Sequence, residues 1–277
     1  MRDDLQAAVA EARVGDRLWL YATYHCNLAC VYCLTESSPR ITARRELPAE
    51  TLLRAAREGR ELGFHSIGVT GGEVFMLRDF PETLVELSGI LPTIALTNGM
   101  LFTERLLARL EPLAELDAAL QISLDTADPA HNDRLRGPGN FTAVVDALER
   151  LRDRRITVRI ATTVEDQTEN ELADLCQLHR ALGISDEDHI VRPVVRRGRA
   201  DVEGLGVDPE ANEILPELTL TADGAFLNPF GPTVRHGRTD LDLLVGRQIL
   251  PLEVPLSSFL RAAADLPTGD DVVRNIR

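Results

Sequence analysis

With 277 residues, 44% of them apolar and 27% charged, the chain has the length and balance of one large α/β domain, or of a domain with a smaller appendage. A formal charge of −14 argues against a nucleic-acid partner, because phosphate contacts need a basic surface; the most cationic stretch, Arg192–Arg199, is too short to reverse that. No run approaches the roughly 18 apolar residues of a bilayer span, and the opening MRDDLQAAVAEARVGDR lacks the apolar centre of an export signal, so a cytoplasmic protein without a membrane partner is expected.

In chain order, residues 1–16 read as a helical segment. From Arg17 to about Ala200, short apolar runs alternate with amphipathic stretches. The predicted strands are Leu18–Tyr24, Ser66–Thr70, Thr93–Thr97, Ala119–Leu124, Ile156–Thr163 and Ile190–Val195. Several are nearly continuous apolar runs, as in parallel strands buried on both faces. Leu52, Leu53, Ala56 and Leu62 recur at helical spacing between Pro48 and Gly63. Pro81 opens a second helix, Thr103 caps a third, Asn140 precedes a fourth, and Thr168 precedes a fifth that stops at Gly183. Six strand–helix repeats imply a parallel sheet, since each parallel connection needs a crossover. An open partial barrel and a doubly wound sheet both fit. Past Asp201 the pattern changes: DVEGLGVDPEANEILPE reads as a linker, and Leu218–Thr221 and Ala225–Leu227 flank Ala222-Asp223-Gly224 as a hairpin. Residues from Phe259 to Ala264 look helical.

Three of the four cysteines, Cys26, Cys30 and Cys33, fall just after the first strand. In a reducing compartment so dense a group reads as metal-binding or catalytic. Thiolates select zinc, copper or iron–sulfur centres. Structural zinc wants four protein ligands, and His25, adjoining Cys26, is strained as the fourth. A 4Fe–4S cluster normally takes four cysteines, so three leave one iron open to a substrate or cofactor. The CX3CX2C spacing, with Tyr32 before the last cysteine, resembles the radical S-adenosylmethionine (SAM) superfamily. The resemblance implies that Cys26, Cys30 and Cys33 hold the cluster as the catalytic centre, with the amino and carboxylate groups of SAM on the open iron. One electron then breaks the S–C5′ bond, and the 5′-deoxyadenosyl radical removes a hydrogen atom from the substrate. Tyr32 is placed at the adenine end of SAM; packing beneath the loop is the competing role.

Thr70-Gly71-Gly72-Glu73 follows the second strand. Paired glycines there let the backbone approach a ligand at the edge where open α/β sheets bind one. Gly71, Gly72 and Glu73 match the GGE motif of the resembled family, whose backbone and carboxylate contact the SAM amino group. Thr97-Asn98-Gly99 ends the third strand, as TNG does in that family. Ser123-Leu124-Asp125, with His131, Arg134, Arg136 and Gly137 beyond it, resembles the SLD…H…RG segment of the SPASM/twitch branch. Ser123 and Arg136 are then expected at the SAM carboxylate or ribose, unless Arg136 pairs with Asp133 on a surface loop. The sixth strand, through Val194, is expected near the adenine. The resemblance spans about residues 17–200 and implies a partial (β/α)6 TIM-like barrel with a small C-terminal twitch-like α+β cap.

The departures bear on chemistry. SPASM and twitch domains bind auxiliary clusters through C-terminal cysteines, yet the last cysteine here is Cys176, and Asn228 stands about where one is expected. Residues 201–277 are therefore expected to be a degenerate twitch-like domain without a cluster. Lacking that electron sink, the reaction tilts toward redox-neutral outcomes: epimerisation, rearrangement, elimination or decarboxylation. A dehydrogenation with an external acceptor and a non-catalytic iron–sulfur regulator are the alternatives. The substrate is expected to be a small molecule or a peptide side chain in natural-product or peptide modification, with flavodoxin or ferredoxin as electron donor. Cys176 shares the apolar face of its helix with Leu172, Leu175 and His179 and reads as a core residue. Candidates for the cavity wall are Thr23, His25, Arg159, Thr162, Arg192 and Asn228.

Overall fold

The computed structural model describes residues 2–41, 45–208 and 216–264. Helix α1 (Arg2–Ala10) precedes six strand–helix repeats: β1 (Arg17–Thr23), α2 (Ala49–Leu62), β2 (Ser66–Gly71), α3 (Phe80–Ser88), β3 (Thr93–Thr97), α4 (Glu104–Leu110), β4 (Ala118–Ser123), α5 (Pro129–Arg136), α6 (Asn140–Asp153), β5 (Val158–Val164), α7 (Glu169–Ala181), β6 (His189–Pro193) and α8 (Arg199–Glu203). There follow β7 (Thr219–Thr221), β8 (Gly224–Phe226), β9 (Val234–Arg235), β10 (Arg238–Thr239), β11 (Leu244–Gly246) and α9 (Glu253–Ala263).

The main sheet runs β11-β8-β7-β1-β2-β3-β4-β5-β6. Strands β1 to β6 are all parallel and lie in sequence order. A doubly wound sheet reverses its order at a switch point; this one does not, so the open-barrel alternative holds. Along β1, Leu18, Leu20 and Ala22 join the large apolar cluster with Ile67 and Val69 of β2. The alternate residues Trp19 and Tyr21 face a cavity instead, as the two-residue period of a strand requires.

The helix signals act as read at Thr103, whose hydroxyl accepts the Leu106 N–H at 3.3 Å, and at Thr168, which forms a reciprocal capping box with Glu171. Asn140 does not precede its helix. Gly139 takes the cap position in a left-handed conformation, and the buried Asn140 side chain is spent on Asn98 O (3.1 Å) and Asn132 (3.0 Å). The hairpin is tighter than read, because Thr221 pairs with Gly224 and leaves a two-residue turn. Its first strand, β7, runs parallel to β1, so the C-terminal hairpin extends the barrel sheet. In the expected linker, residues 201–203 belong to α8 and residues 209–215 lie outside the described residues. The last helix begins at Glu253, six residues before the apolar residues that signalled it.

Candidate functional site

After β1 the chain turns across the C-terminal edges of the strands, and this loop carries the cysteines. One cavity there is lined by Cys26, Cys30, Tyr32, Cys33, Gly71, Gly72, Thr97, Ser123, Arg136 and Val194. These are all the predicted site residues except Glu73. The three thiols are free; Cys26 is buried and the others are half-buried. Cys26 Sγ accepts the Leu28 N–H at 3.3 Å and the Asn98 side-chain amide at 3.6 Å. Burial pushes the Cys26 thiol up to about 12 and raises the Cys30 thiol as well. Ionising them takes a strong local positive charge, such as a bound metal centre.

The glycine pair has a steric cause. A Cβ on Gly71 would meet Thr23 O at 2.5 Å, and one on Gly72 would meet His25 O at 2.3 Å. The bare backbone lets Gly72 N–H donate to Thr23 O (2.7 Å) and Glu73 N–H to His25 O (2.9 Å), which pins the cysteine loop to β2. Glu73 stands behind this wall, fully buried. Its carboxylate accepts from Phe75 N–H (3.1 Å), Thr97 Oγ1 (2.8 Å) and Asn98 N–H (2.8 Å), while burial raises its pKa. The wall residues are thus Gly71 and Gly72, with Glu73 as their anchor.

Opposite, Tyr32 donates its hydroxyl to Asp125 Oδ2 and accepts from Arg136 Nη1 at 2.5 Å. Arg136 also reaches Asp125 Oδ2 at 3.3 Å. Its surface pairing with Asp133 does not form: Asp133 accepts the N–H groups of Gly139 (2.6 Å) and Phe141 (2.9 Å), and Arg136 is 6% exposed. Burial alone disfavours the Arg136 charge, but Tyr32, Cys30 and Asp125 around it outweigh that and raise its pKa. Asp125 Oδ1 accepts Thr163 N–H at 2.9 Å, so the network ties the cysteine loop to β5.

A second clamp comes from beyond β6. Arg199 donates its N–H to Cys33 O at 2.9 Å and its guanidinium to Cys30 O and Ser37 O. Gly198, at φ +61°, lies so close that a Cβ would be 2.1 Å from Leu34 O. Val234 N–H also donates to Leu34 O, at 3.0 Å, and Glu36 accepts from His236 and Gly237 N–H, so the C-terminal segment grips the same loop. The sequence reading missed the parts played by Asn98, Asp125 and Arg199. The first two stood inside the TNG and SLD motifs; Arg199 had only its place in a cationic stretch.

Among the six wall candidates, only Arg192 lines the cavity. Thr23 is buried and accepts the His25 N–H. Thr162 faces α7, bonded to His189 at 2.8 Å, and Arg159 approaches Asp188 at 3.5 Å. Asn228 is buried and caps the Phe230 N–H, leaving Pro229 and Phe230 on the wall.

The family model of the Radical SAM superfamily matches residues 20–179, which include the cysteine loop, the glycine pair and the Asp125 network. The chain belongs to the radical SAM superfamily. It is 32% identical over 173 residues to "Mycofactocin maturase MftC" of Mycolicibacterium smegmatis, covering 62% of this chain and 43% of that protein. The chain spans about half the length of the curated relatives it matches. In fold it resembles Streptococcus suis SuiB bound to SAM (TM-score 0.58, 20% identity, 68% of this chain and 44% of that one). It also resembles anSMEcpe with bound AdoMet and Cp18Cys peptide (TM-score 0.64, 15% identity, 91% and 84%).

Radical SAM proteins use a 4Fe–4S cluster and SAM, and the residues present fit both. Three soft thiols share one wall, with N–H donors on the Cys26 sulfur, while the fourth cysteine, Cys176, lies on outer helix α7. Among the described residues no group of three His, Cys, Asp or Glu side chains is placed to hold a single metal ion. No helix among them is long and apolar enough to cross a membrane.

Proposed function

We propose that the chain is a radical SAM enzyme that abstracts hydrogen from a small molecule or peptide in natural-product or peptide modification. The observation that carries the reading is the convergence of the three cysteines with Gly71, Gly72, Ser123 and Arg136 on one cavity. Bound there, the cluster supplies the electron that cleaves SAM to methionine and a 5′-deoxyadenosyl radical. The protein's share is positional. Cys26, Cys30 and Cys33 would hold the cluster; Gly71 and Gly72 would offer the backbone wall for the SAM amine; Ser123 and Arg136 would hold the carboxylate or ribose; Tyr32 and Val194 would border the adenine. Trp19, Leu34 and Phe230 line the same space with apolar surface. A relative named as a maturase and a neighbouring fold with a bound peptide support a peptide-modifying setting.

Residues 201–277 carry no cysteine, so in this reading that region holds no auxiliary cluster, which favours a redox-neutral outcome. Flavodoxin or ferredoxin supplies the electron. Anaerobic reconstitution should give one 4Fe–4S per chain and, with dithionite and SAM, 5′-deoxyadenosine. A colourless protein, or one whose paramagnetic spectrum ignores SAM, would sink the proposal; a second cluster would overturn the account of the C-terminal region.

A further inference from the structure

Among the described residues, Arg192 is the charged group on the cavity wall without a counter-charge in contact. It lies on β6, the edge strand, in register with Thr163 of β5 and two residues before Val194; both line the cavity, so all three share the inner face. Among the described residues its side chain makes no hydrogen bond and no ion pair, although it is half-buried. Burial lowers its pKa; Tyr32 and Asp125 nearby oppose that, and Arg136 adds repulsion. The nearby carboxylate is not available to it, since Asp125 spends Oδ2 on Tyr32 and Arg136 and Oδ1 on Thr163 N–H. No Arg192 nitrogen is among the buried atoms without a partner, so the guanidinium opens onto the cavity, where an entering anion can meet it directly.

We propose that Arg192 anchors a carboxylate of the substrate, that of a free amino acid or of a peptide C-terminus. This rests on the radical SAM reading of the cavity. A planar guanidinium presents two parallel N–H groups, which match one carboxylate. Among the described residues the other cation on the wall is Arg136, which the proposed reading gives to SAM, so the substrate side of the site lacks the several cations a phosphate chain needs. Leu34, Val194, Val195, Pro229 and Phe230 share this wall and fit an apolar or aromatic body attached to the acid. SAM also carries a carboxylate, but Ser123 and Arg136, with its buried unpartnered Nε, are the groups proposed above for the SAM carboxylate or ribose. Arg192 is left for the second ligand.

The test uses reconstituted, SAM-loaded protein under anaerobic conditions, with N-acetyl-L-phenylalanine and its amide as probes in equilibrium dialysis. The acid should bind at least about tenfold more tightly than the amide, as a charge-assisted pair in a partly desolvated site does. Arg192→Gln should erase that preference and Arg192→Lys keep part of it, while SAM affinity stays at the wild-type value in both. A short peptide ending in phenylalanine, as free acid and as amide, tells a peptide terminus from a free amino acid. Equal behaviour of acid and amide in the wild type, whether both bind or neither, overturns the inference even if the variants fail to fold. So does displacement of the acid by inorganic phosphate at equal concentration, or a loss of SAM affinity in Arg192→Gln with the acid preference intact. Failure of every form to bind SAM would instead remove the radical SAM reading, and this inference with it.

Discussion

The two faces of the β5–β6 pair bury similar chemistry and put it to different ends. Inside, Thr163, Arg192 and Val194 face the cavity beside the cysteine loop. Outside, Thr162 and His189 meet Cys176 and His179 of α7: Cys176 Sγ lies 3.6 Å from His189 Nδ1, and the two histidine rings stack edge-on at 4.4 Å. Each face holds a polar side chain without a hydrogen-bond partner among the described residues, Arg192 within and His179 without. The inner one borders open space and keeps a charge that a ligand can answer. The outer one is 1% exposed, and burial drives its pKa down to about 3, so it stays neutral. An unpartnered group marks a site only where a cavity gives it something to meet.

The cysteines give the sharpest way to break that contrast. In the proposed reading Cys33→Ala takes away one of three cluster ligands, and it should abolish both cluster retention and 5′-deoxyadenosine formation. Cys176→Ser, on the outer face, should leave iron content and SAM cleavage as they are. Loss of cleavage in Cys176→Ser would make the Cys176, His179 and His189 side chains part of the chemistry and undo the comparison. The next effect belongs to Asp125→Ala, which leaves Arg136 buried with no carboxylate. Removing one partner of a buried pair costs about 3 kcal/mol or more, readable as a lowered urea midpoint of the cluster-free protein. An unchanged midpoint would mean that the Tyr32–Asp125–Arg136 network holds nothing in place. Arg199→Gln should act more gently, through the loop carbonyls of Cys30 and Ser37, and speed iron loss to a chelator by about 10-fold or more.

Much of this was legible because strands and ligand loops write local patterns. The six parallel strands announced themselves as apolar runs, and the cysteine and glycine motifs fell at successive strand ends. What failed was long-range. Arg136 and Asp133 stand close enough in sequence to suggest a surface pair, but the partner that Arg136 takes is Asp125, from the loop between β4 and α5. Arg199 grips Cys30 across 169 positions of chain. Asn140 looked like a helix cap because its type favours caps; tertiary bonds to Asn98 and Asn132 claimed its side chain instead. Glu73 read as a ligand group from its motif, and only the three donors around it show that it anchors the wall.

The smallest effect lies on the outer face and follows from His179. Its pKa in the folded protein, about 3, is below the ordinary 6.5, chiefly through burial, with His189 adding repulsion and Asp186 opposing it. An unfolded chain therefore binds a proton between those values that the folded chain refuses. The contribution is fully present above about pH 6.5 and is lost progressively as pH falls toward 3, with a limiting slope of about 1.4 kcal/mol per pH unit. Burial lowers the His189 pKa too, which adds in the same sense. Replacing His179 by Leu puts an apolar group of similar size in the same seat and should flatten the stability curve between pH 6.5 and about 4, as followed by urea midpoints, without altering SAM affinity. A curve as steep as the wild type's would show that the ring takes up its proton in the folded state, and that the outer face, like the inner one, has a partner for its charge.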